Sequence, residues 1–420
     1  MSTFIKKLRT DALYRNSVIF IGGSLIASIF GYLFHLAMGR MLAPADYAII
    51  ASLLAVLTII SVPAGTIQTV ATRYTAQYKA KGDEASLKGL RVSLARKLGV
   101  LGIIITVGFM VLSPWVSDFL NIGSVWPVIV ISLVFLFAIL APIYRGILQG
   151  SQRFVALSSS LIAEAGLKFA AGIGLVWIGL QVGGAIGAIV IGSAAGLLVA
   201  WFFARQDGTV VPKKVDLKGM LKYALPVIIV LLSAALLYNI DVILVKHYFS
   251  GEEAGLYAAL SQLGKIIVFG TMAVAGVMFP MVAEKFERKE DYRPILWKSI
   301  GIVGGLSAIA VVIYFLAPQF VIGLLYGENY LAVAWLLGYV AVFMALYSVL
   351  NVLVQFFLSI KIYGFIYPLV VGMIAQIVLV VMYHTSLFEV IMIMNVSIAA
   401  TTVALFVYYG FLSKKLKARR

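Results

Sequence analysis

Four ionisable residues stand inside long apolar runs of this 420-residue chain: Glu164, Lys168, Asp241 and Lys265. A charge at the centre of a bilayer costs about 2.5–3.5 kcal/mol on insertion scales, so each is a candidate for function. Glu164 and Lys168 are spaced i, i+4, share a helix face and can form a self-neutralising pair. Lys265 has no acid one turn away, and ten residues past Gly255 it lies about 15 Å along its helix. It suits an anion-binding role in a wet cavity or a salt bridge to Asp241, and the spacing leaves both open. Asp241, in Tyr238-Asn-Ile-Asp-Val-Ile-Leu244, can bind Na+ or carry a proton. Asn239, Gln376 or Asn395 would add the oxygen ligands that hard cations prefer. The alternative is a counter-ion for Lys265. His35 shares a helix face with Gly31 and Gly39 and fits a cavity wall or a hydrogen-bonded packing position.

Other chemistries are excluded. The chain has no cysteine, which removes disulfides, thiolate metal sites and cysteine nucleophiles. Its three histidines, His35, His247 and His384, fall on separate apolar runs with no HExxH spacing, so no metal is expected beyond Na+ at Asp241. There is no GxxxxGK[ST] loop for nucleotide phosphates. Asp83-Glu84 and Glu252-Glu253 read as solvated surface runs. No catalytic constellation emerges, and neither an enzyme nor an ATP-driven pump is expected. The net charge of +16 raises the question of nucleic acid. The basic residues, however, are scattered over separate short connections, as the positive-inside rule predicts for a membrane protein.

The elements that must position these residues are transmembrane helices. The chain is 62% hydrophobic and 12% charged, against about half and about a quarter for soluble proteins. Its mean hydropathy is +1.05, and its apolar runs have the roughly 20-residue length that crosses hydrocarbon. Twelve helices are expected, near 17–42, 46–77, 93–117, 125–148, 154–180, 183–204, 220–247, 254–284, 295–316, 330–360, 362–384 and 388–412. The run from Ser17 to Leu42 is too long for a signal-peptide core and reads as the first span. With both termini in the cytoplasm, all but four of the 33 Lys and Arg residues fall on the cytoplasmic side. Arg40 and Lys246 lie at outer ends, and Lys168 and Lys265 lie within helices.

The longest polar connection, Arg205 to Lys218, divides six helices from six, giving lobes at 1–210 and 211–420. The halves match in register: Pro114 with Pro318, Ala64-Gly65 with Ala275-Gly276, and Tyr47 with Tyr257. An even number of spans per repeat makes such halves parallel. The fold class is therefore an all-α polytopic membrane protein of two pseudo-symmetric six-helix lobes. Pro63, Pro142, Pro226, Pro280 and Pro368 lie within spans, where they bend helices. Small-residue stripes, such as Gly23-Ala27-Gly31, allow close helix approach in lipid.

Three segments resemble a known family. Gly39-Arg-Met-Leu-Ala-Pro-Ala-Asp-Tyr-Ala48 resembles the "RxLgPxdyG" signature of bacterial polysaccharide flippases, with Ala48 where the family usually has Gly. Arg145-Gly-Ile-Leu-Gln-Gly-Ser-Gln-Arg-Phe154 is similar to their "rGxlqGxxrf" segment. Asn239-Ile-Asp241, followed by Ala254-Gly-Leu-Tyr-Ala258, resembles the start of their second half. The family belongs to the multidrug/oligosaccharidyl-lipid/polysaccharide exporter superfamily. The resemblance implies a V-shaped monomer of two six-helix lobes in the plasma membrane. It implies movement of an undecaprenyl-pyrophosphate-linked oligosaccharide to the outer leaflet by alternating access. It further implies no cofactor other than Na+ or H+ as a coupling ion, and a glycan polymerase or ligase as downstream partner. Cationic side chains of the cavity would meet the pyrophosphate, with Lys265 first and Arg40, Arg145, Lys168 and His35 behind it. Asp241, with Asn239 and Glu164, would serve ion coupling, Asp241 resembling the Na+-coordinating Asp of lipid II flippases. A cation-coupled multidrug exporter of the same superfamily and a lipid II flippase are the rival functions; a transport-inactive scaffold for glycan enzymes is a third.

Overall fold

The computed structural model describes residues 12–205, 211–213, 215 and 218–417. The chain termini, and most of the connection from Arg205 to Lys218, lie outside the described residues. So do Lys6, Lys7, Arg9, Lys214, Arg419 and Arg420, and the expected boundary at 210. The chain divides into two compact units, Met1–Ala224 and Leu225–Arg420.

Unit 1 holds α1 (Ala12–Met41), α2 (Pro44–Ile60), α3 (Val62–Ala80), α4 (Glu84–Val111), α5 (Ser113–Phe119), α6 (Trp126–Gly150), α7 (Phe154–Leu175) and α8 (Gln181–Ala204). Local chemistry sets the boundaries. Prolines stand in the first turns of α2, α3, α5 and α6, where their missing N–H is no loss. The junction before Pro63 bends α2 against α3 by 42°. Asp83 caps α4, accepting from the Ser86 N–H at 2.9 Å. α7 and α8 belong to one 51-residue apolar run, Phe154–Ala204. That run would extend about 76 Å as a straight helix, far more than a bilayer. It breaks at a π turn, Val176–Leu180, where Gly179 takes the left-handed conformation at φ 92°. The chain then doubles back, so that Leu175 lies against Gly184, Lys168 against Gly192 and Glu164 against Gly196.

Unit 2 is entered along α9 (Lys218–Tyr248) and continues through α10 (Gly251–Glu287), α11 (Arg293–Leu316), α12 (Pro318–Leu325), a 3-10 segment (Glu328–Leu336), α13 (Leu337–Ser359), α14 (Ile366–Met382) and α15 (Leu387–Lys417). Ser250 and Glu253 form a reciprocal capping box at the start of α10. α13 is the buried axle of the unit. Leu337, Ala341, Met344, Leu350, Leu353 and Phe357 are fully buried as it packs on α10, α11 and α15.

Among the described residues, nine helices are long and apolar enough to cross a membrane. The number reaches twelve only when the bent α2–α3 pair counts as a span, the Phe154–Ala204 run counts as two, and the 17-residue α14 is added. Large apolar side chains face outward in quantity: Ile103, Ile104 and Val111 on α4, and Ile302, Ile309 and Val312 on α11 are about half exposed or more. A water-soluble protein does not show such surface. All six tryptophans are exposed and stand at or near helix ends or in connecting turns, as in the aromatic belts of membrane proteins. The chain is a multi-pass membrane protein.

Candidate functional sites

Each unit contains a polar stripe of three residues at successive i, i+4 steps, which places them on one helix face. In unit 2 the stripe is Tyr257, Ser261 and Lys265 on α10. Asp241 of α9 faces it and is 1% exposed. Its Oδ2 accepts from the Tyr257 hydroxyl at 2.9 Å and from Ser261 Oγ at 3.1 Å. Lys265 Nζ donates to Asn239 Oδ1 at 3.0 Å and lies 4.9 Å from the centre of the Tyr238 ring. That ring stacks on Tyr347 of α13, whose hydroxyl donates to the Ala234 carbonyl at 3.1 Å. The Asp241 and Lys265 charges feel each other, but no direct ion pair joins them. The hydroxyls clothe the carboxylate, and a neutral amide oxygen takes the ammonium.

Further buried oxygens surround this cluster. Gln376 of α14 donates to the Leu237 carbonyl at 2.9 Å, one turn from Asp241. Met394 of α15 receives a second contact from the Tyr257 hydroxyl at 3.3 Å. Next to it, Asn395 donates to the Tyr339 and Ile391 carbonyls. Asp241 Oδ1, Gln376 Oε1, Asn395 Oδ1 and Ser397 Oγ are buried with no hydrogen-bond partner among the described residues. Carboxylate and amide oxygens are the donor types that hard cations prefer, whereas Ser397, two residues from Asn395 on the same helix, faces another side. No group of three His, Cys, Asp or Glu residues suited to a metal occurs among the described residues.

In unit 1 the stripe is Ser160, Glu164 and Lys168 on α7. Arg145 of α6 forms an ion pair with Glu164. It also donates from Nε to Ser160 Oγ at 2.9 Å, while Ser160 Oγ donates to the Gly196 carbonyl of α8 at 2.7 Å. A Cβ at Gly196 would stand 2.7 Å from Arg145 Nη2 and 2.8 Å from Glu164 Cβ. The bare glycine is what lets the guanidinium in. Lys168 is half-buried, its Nζ 5.1 Å from the centre of the Phe34 ring of α1.

The expected Glu164–Lys168 pair does not form. Sharing a face makes the contact sterically available, but the Arg145 fork reaches Ser160 and Glu164 together and takes the carboxylate. The Asp241–Lys265 salt bridge gives way for the reason stated above. Asn239 belongs to the unit 2 cluster, though its oxygen is already engaged by Lys265. His35 is half-buried beside Phe34, with Nδ1 3.3 Å from the Tyr47 hydroxyl. Arg40 is exposed in the last turn of α1. Sequence reasoning missed Tyr257, Ser261 and Ser160 as site residues. The i, i+4, i+8 spacing ending in lysine was the signal that would have found them.

The fold is similar to that of several solved transporters. An inward-facing multidrug resistance MATE family transporter of the MOP superfamily superimposes with a TM-score of 0.75 at 15% identity, over 93% of this chain and 99% of the other. The lipid II flippase MurJ in an inward closed conformation gives 0.72 at 11% identity, over 94% and 87%. A MOP superfamily transporter from Pyrococcus furiosus, described as having a binding pocket of reversed polarity, gives 0.61 at 18% identity, over 98% of both chains. No curated protein sequence matches. The profile of the polysaccharide biosynthesis protein family matches residues 13–286. The chain belongs to that family.

Proposed function

We propose that this protein is a flippase that moves an undecaprenyl-pyrophosphate-linked oligosaccharide from the inner to the outer leaflet of the plasma membrane by alternating access, for polysaccharide biosynthesis. The observation that carries the proposal is the bonding of Lys265. Its buried ammonium is held by an amide oxygen and an aromatic ring, not by a carboxylate in contact with it, so its charge is available to a diphosphate. Lys168, over Phe34, is the matching cation of unit 1. Arg145 is committed to Glu164 and Ser160 and orders the stripe that carries Lys168. Arg40 and His35 stand on the same helix as Phe34.

Coupling to an ion gradient is assigned to Asp241. Na+ would be held by Asp241 with Gln376 and Asn395, which have buried spare oxygens; a proton would use the carboxylate alone. Bound Na+ would supply positive charge beside Asp241 and reduce its hold on Lys265. The Lys and Arg distribution along the sequence supports cytoplasmic termini, and a glycan polymerase or ligase would consume the product.

The test is a flipping assay with labelled lipid-linked oligosaccharide in proteoliposomes, comparing wild type with Lys265→Gln at equal reconstitution. At least a tenfold loss is expected, of the order of about 1.4 kcal/mol in binding. Unchanged flipping removes Lys265 from the mechanism. Export of cationic drugs in place of the lipid would replace the proposal with the multidrug reading.

A further inference from the structure

The same connection, between the second and third spans of each half, carries very different charge in the two units. From Arg73 to Lys97, the α3–α4 connection of unit 1 has seven basic and two acidic residues. From Glu284 to Lys298, the α10–α11 connection of unit 2 has five basic and four acidic. In unit 2 the charges neutralise one another locally. Arg288 pairs with Glu284 at 2.8 Å, Lys285 with Glu290 at 3.6 Å, and Lys361 with Glu287 at 2.6 Å.

Unit 1 disposes of its cations differently. Lys79 reaches the Ser151 carbonyl at 3.4 Å and Arg91 the Ala204 carbonyl at 3.1 Å. Arg153 caps the Phe203 carbonyl. These contacts gather the ends of α3, α4, α6, α7 and α8 into one rim and satisfy hydrogen bonds, but the carbonyls that accept them carry no formal charge. The Lys213 N–H bonds the Ala85 carbonyl at 3.1 Å, which brings a further lysine to the rim. Lys81 and Lys213 are exposed there, and Arg96 and Lys97 are exposed further along α4; Asp83, between Lys81 and Lys213, and Glu84 are the acids of this segment.

The rim borders apolar surface. Val92, Val100 and Leu101 of α4 are 44%, 54% and 44% exposed. At the end of α8, Arg205 lies over the exposed Trp201 and Phe202 rings at 5.3 and 4.7 Å. Cations set against outward-facing aliphatic and aromatic side chains suit a molecule with an anionic head and acyl tails; an acidic protein would need no apolar border. Basic clusters directly beside membrane spans attract anionic lipid for this reason.

We infer that the basic rim of unit 1 is a binding site for anionic phospholipid headgroups, phosphatidylglycerol being the simplest, in the leaflet that meets this end of the protein. The pseudo-equivalent rim of unit 2 is not such a site. The inference is independent of the proposed cargo.

The test uses the full chain purified in detergent, offered equal amounts of phosphatidylglycerol and phosphatidylcholine. Bound lipids are counted by native mass spectrometry. Wild type is expected to retain phosphatidylglycerol over phosphatidylcholine by about threefold or more at about 0.1 M salt, and to lose the preference near 0.5 M, where screening is severe. The fourfold variant Lys81→Gln/Arg96→Gln/Lys97→Gln/Lys213→Gln is expected to lose most of the preference. The unit 2 variant Lys285→Gln/Arg288→Gln/Lys289→Gln/Lys298→Gln, which removes the same formal charge, keeps it. Equal retention of the two lipids by wild type, a preference indifferent to salt, or equal losses in both variants overturns the inference. If the fourfold variant does not fold, Arg96→Gln/Lys97→Gln gives the same comparison, and an unchanged preference there, with wild type insensitive to salt, is decisive against it.

Discussion

The stripes Ser160-Glu164-Lys168 and Tyr257-Ser261-Lys265 are built alike and neutralised differently. Each ends in a lysine over an aromatic ring of a neighbouring helix, at 5.1 and 4.9 Å. In unit 1 the carboxylate sits on the stripe itself and is taken by Arg145 from α6, with the Glu164 side chain still 35% exposed. In unit 2 the carboxylate sits across from the stripe on α9, is covered by two hydroxyls and is almost wholly buried. Burial decides what each arrangement is worth. A partly exposed pair is screened, whereas Asp241 and Lys265 act on each other through a poorly screening interior. The unit 1 stripe is locked by a third helix, while the unit 2 stripe holds two coupled charges apart.

The largest effect that would break this comparison is expected from Lys265→Met. Removing the ammonium withdraws the opposite charge from a buried carboxylate, a loss of about 3 kcal/mol, at the low end for a broken buried pair because the two groups are not in contact, read by unfolding in detergent. Adding Asp241→Asn should recover most of it. An unaffected single variant would mean that the charges are not coupled. Next comes Gly196→Ala, whose new methyl would collide with Arg145 and Glu164. It should cost about 1–3 kcal/mol. Gly264→Ala in unit 2 would meet Val340 Cγ1 and Met344 Cγ, at 2.8 and 2.9 Å, and should cost less, because it disturbs apolar packing and displaces no ion pair. Equal losses would erase the contrast between a locked and a soft stripe. Lys168→Met should cost only about 0.5–1 kcal/mol, the value of an incompletely desolvated cation–π contact.

The smallest effect concerns the acid of the basic rim. Hydrogen bonds from Ser86, with the charges of Lys213 and Lys81, hold the Asp83 carboxyl below its usual value. A depressed folded-state value means that its contribution is present above the ordinary carboxylate range and lost as pH falls through the lowered one. Amide exchange at Ser86 and Leu87, measured from pH 5 downward, should accelerate relative to the rest of α4 only below about pH 4. Asp83→Ala should show the faster exchange at every pH.

Much of the fold was legible because lipid imposes a simple grammar. Apolar runs set the helices, Pro63 marked the bend within 46–77, and Pro114 and Pro318 marked the helix ends that repeat between units. Where helices outrun the hydrocarbon, the reading fell short. α4 begins at Glu84, not near 93, since the Lys88 to Lys97 turns are helical but too charged for an apolar window. The start of the tenth expected helix is a 3-10 segment that hydropathy does not distinguish. Of the sites, the four charged positions were visible as anomalies. Their partners were not, because Arg145 reaches Glu164 across 19 residues and Asn239 meets Lys265 across 26. Spacing along a helix tells which side chains share a face, but not which neighbouring helix arrives there first.

A turn with two residues of positive φ, Gly179 and Gln181, settles a count on which everything downstream depends. Without the reversal at Gly179, the oily stretch from Phe154 to Ala204 would thread the bilayer once, and each later helix would enter from the wrong face. Up and down would be exchanged for the second half of the molecule, its basic connections included. A side chain at that position, which has little taste for positive φ, puts at risk the parity of the whole thread, not only a turn.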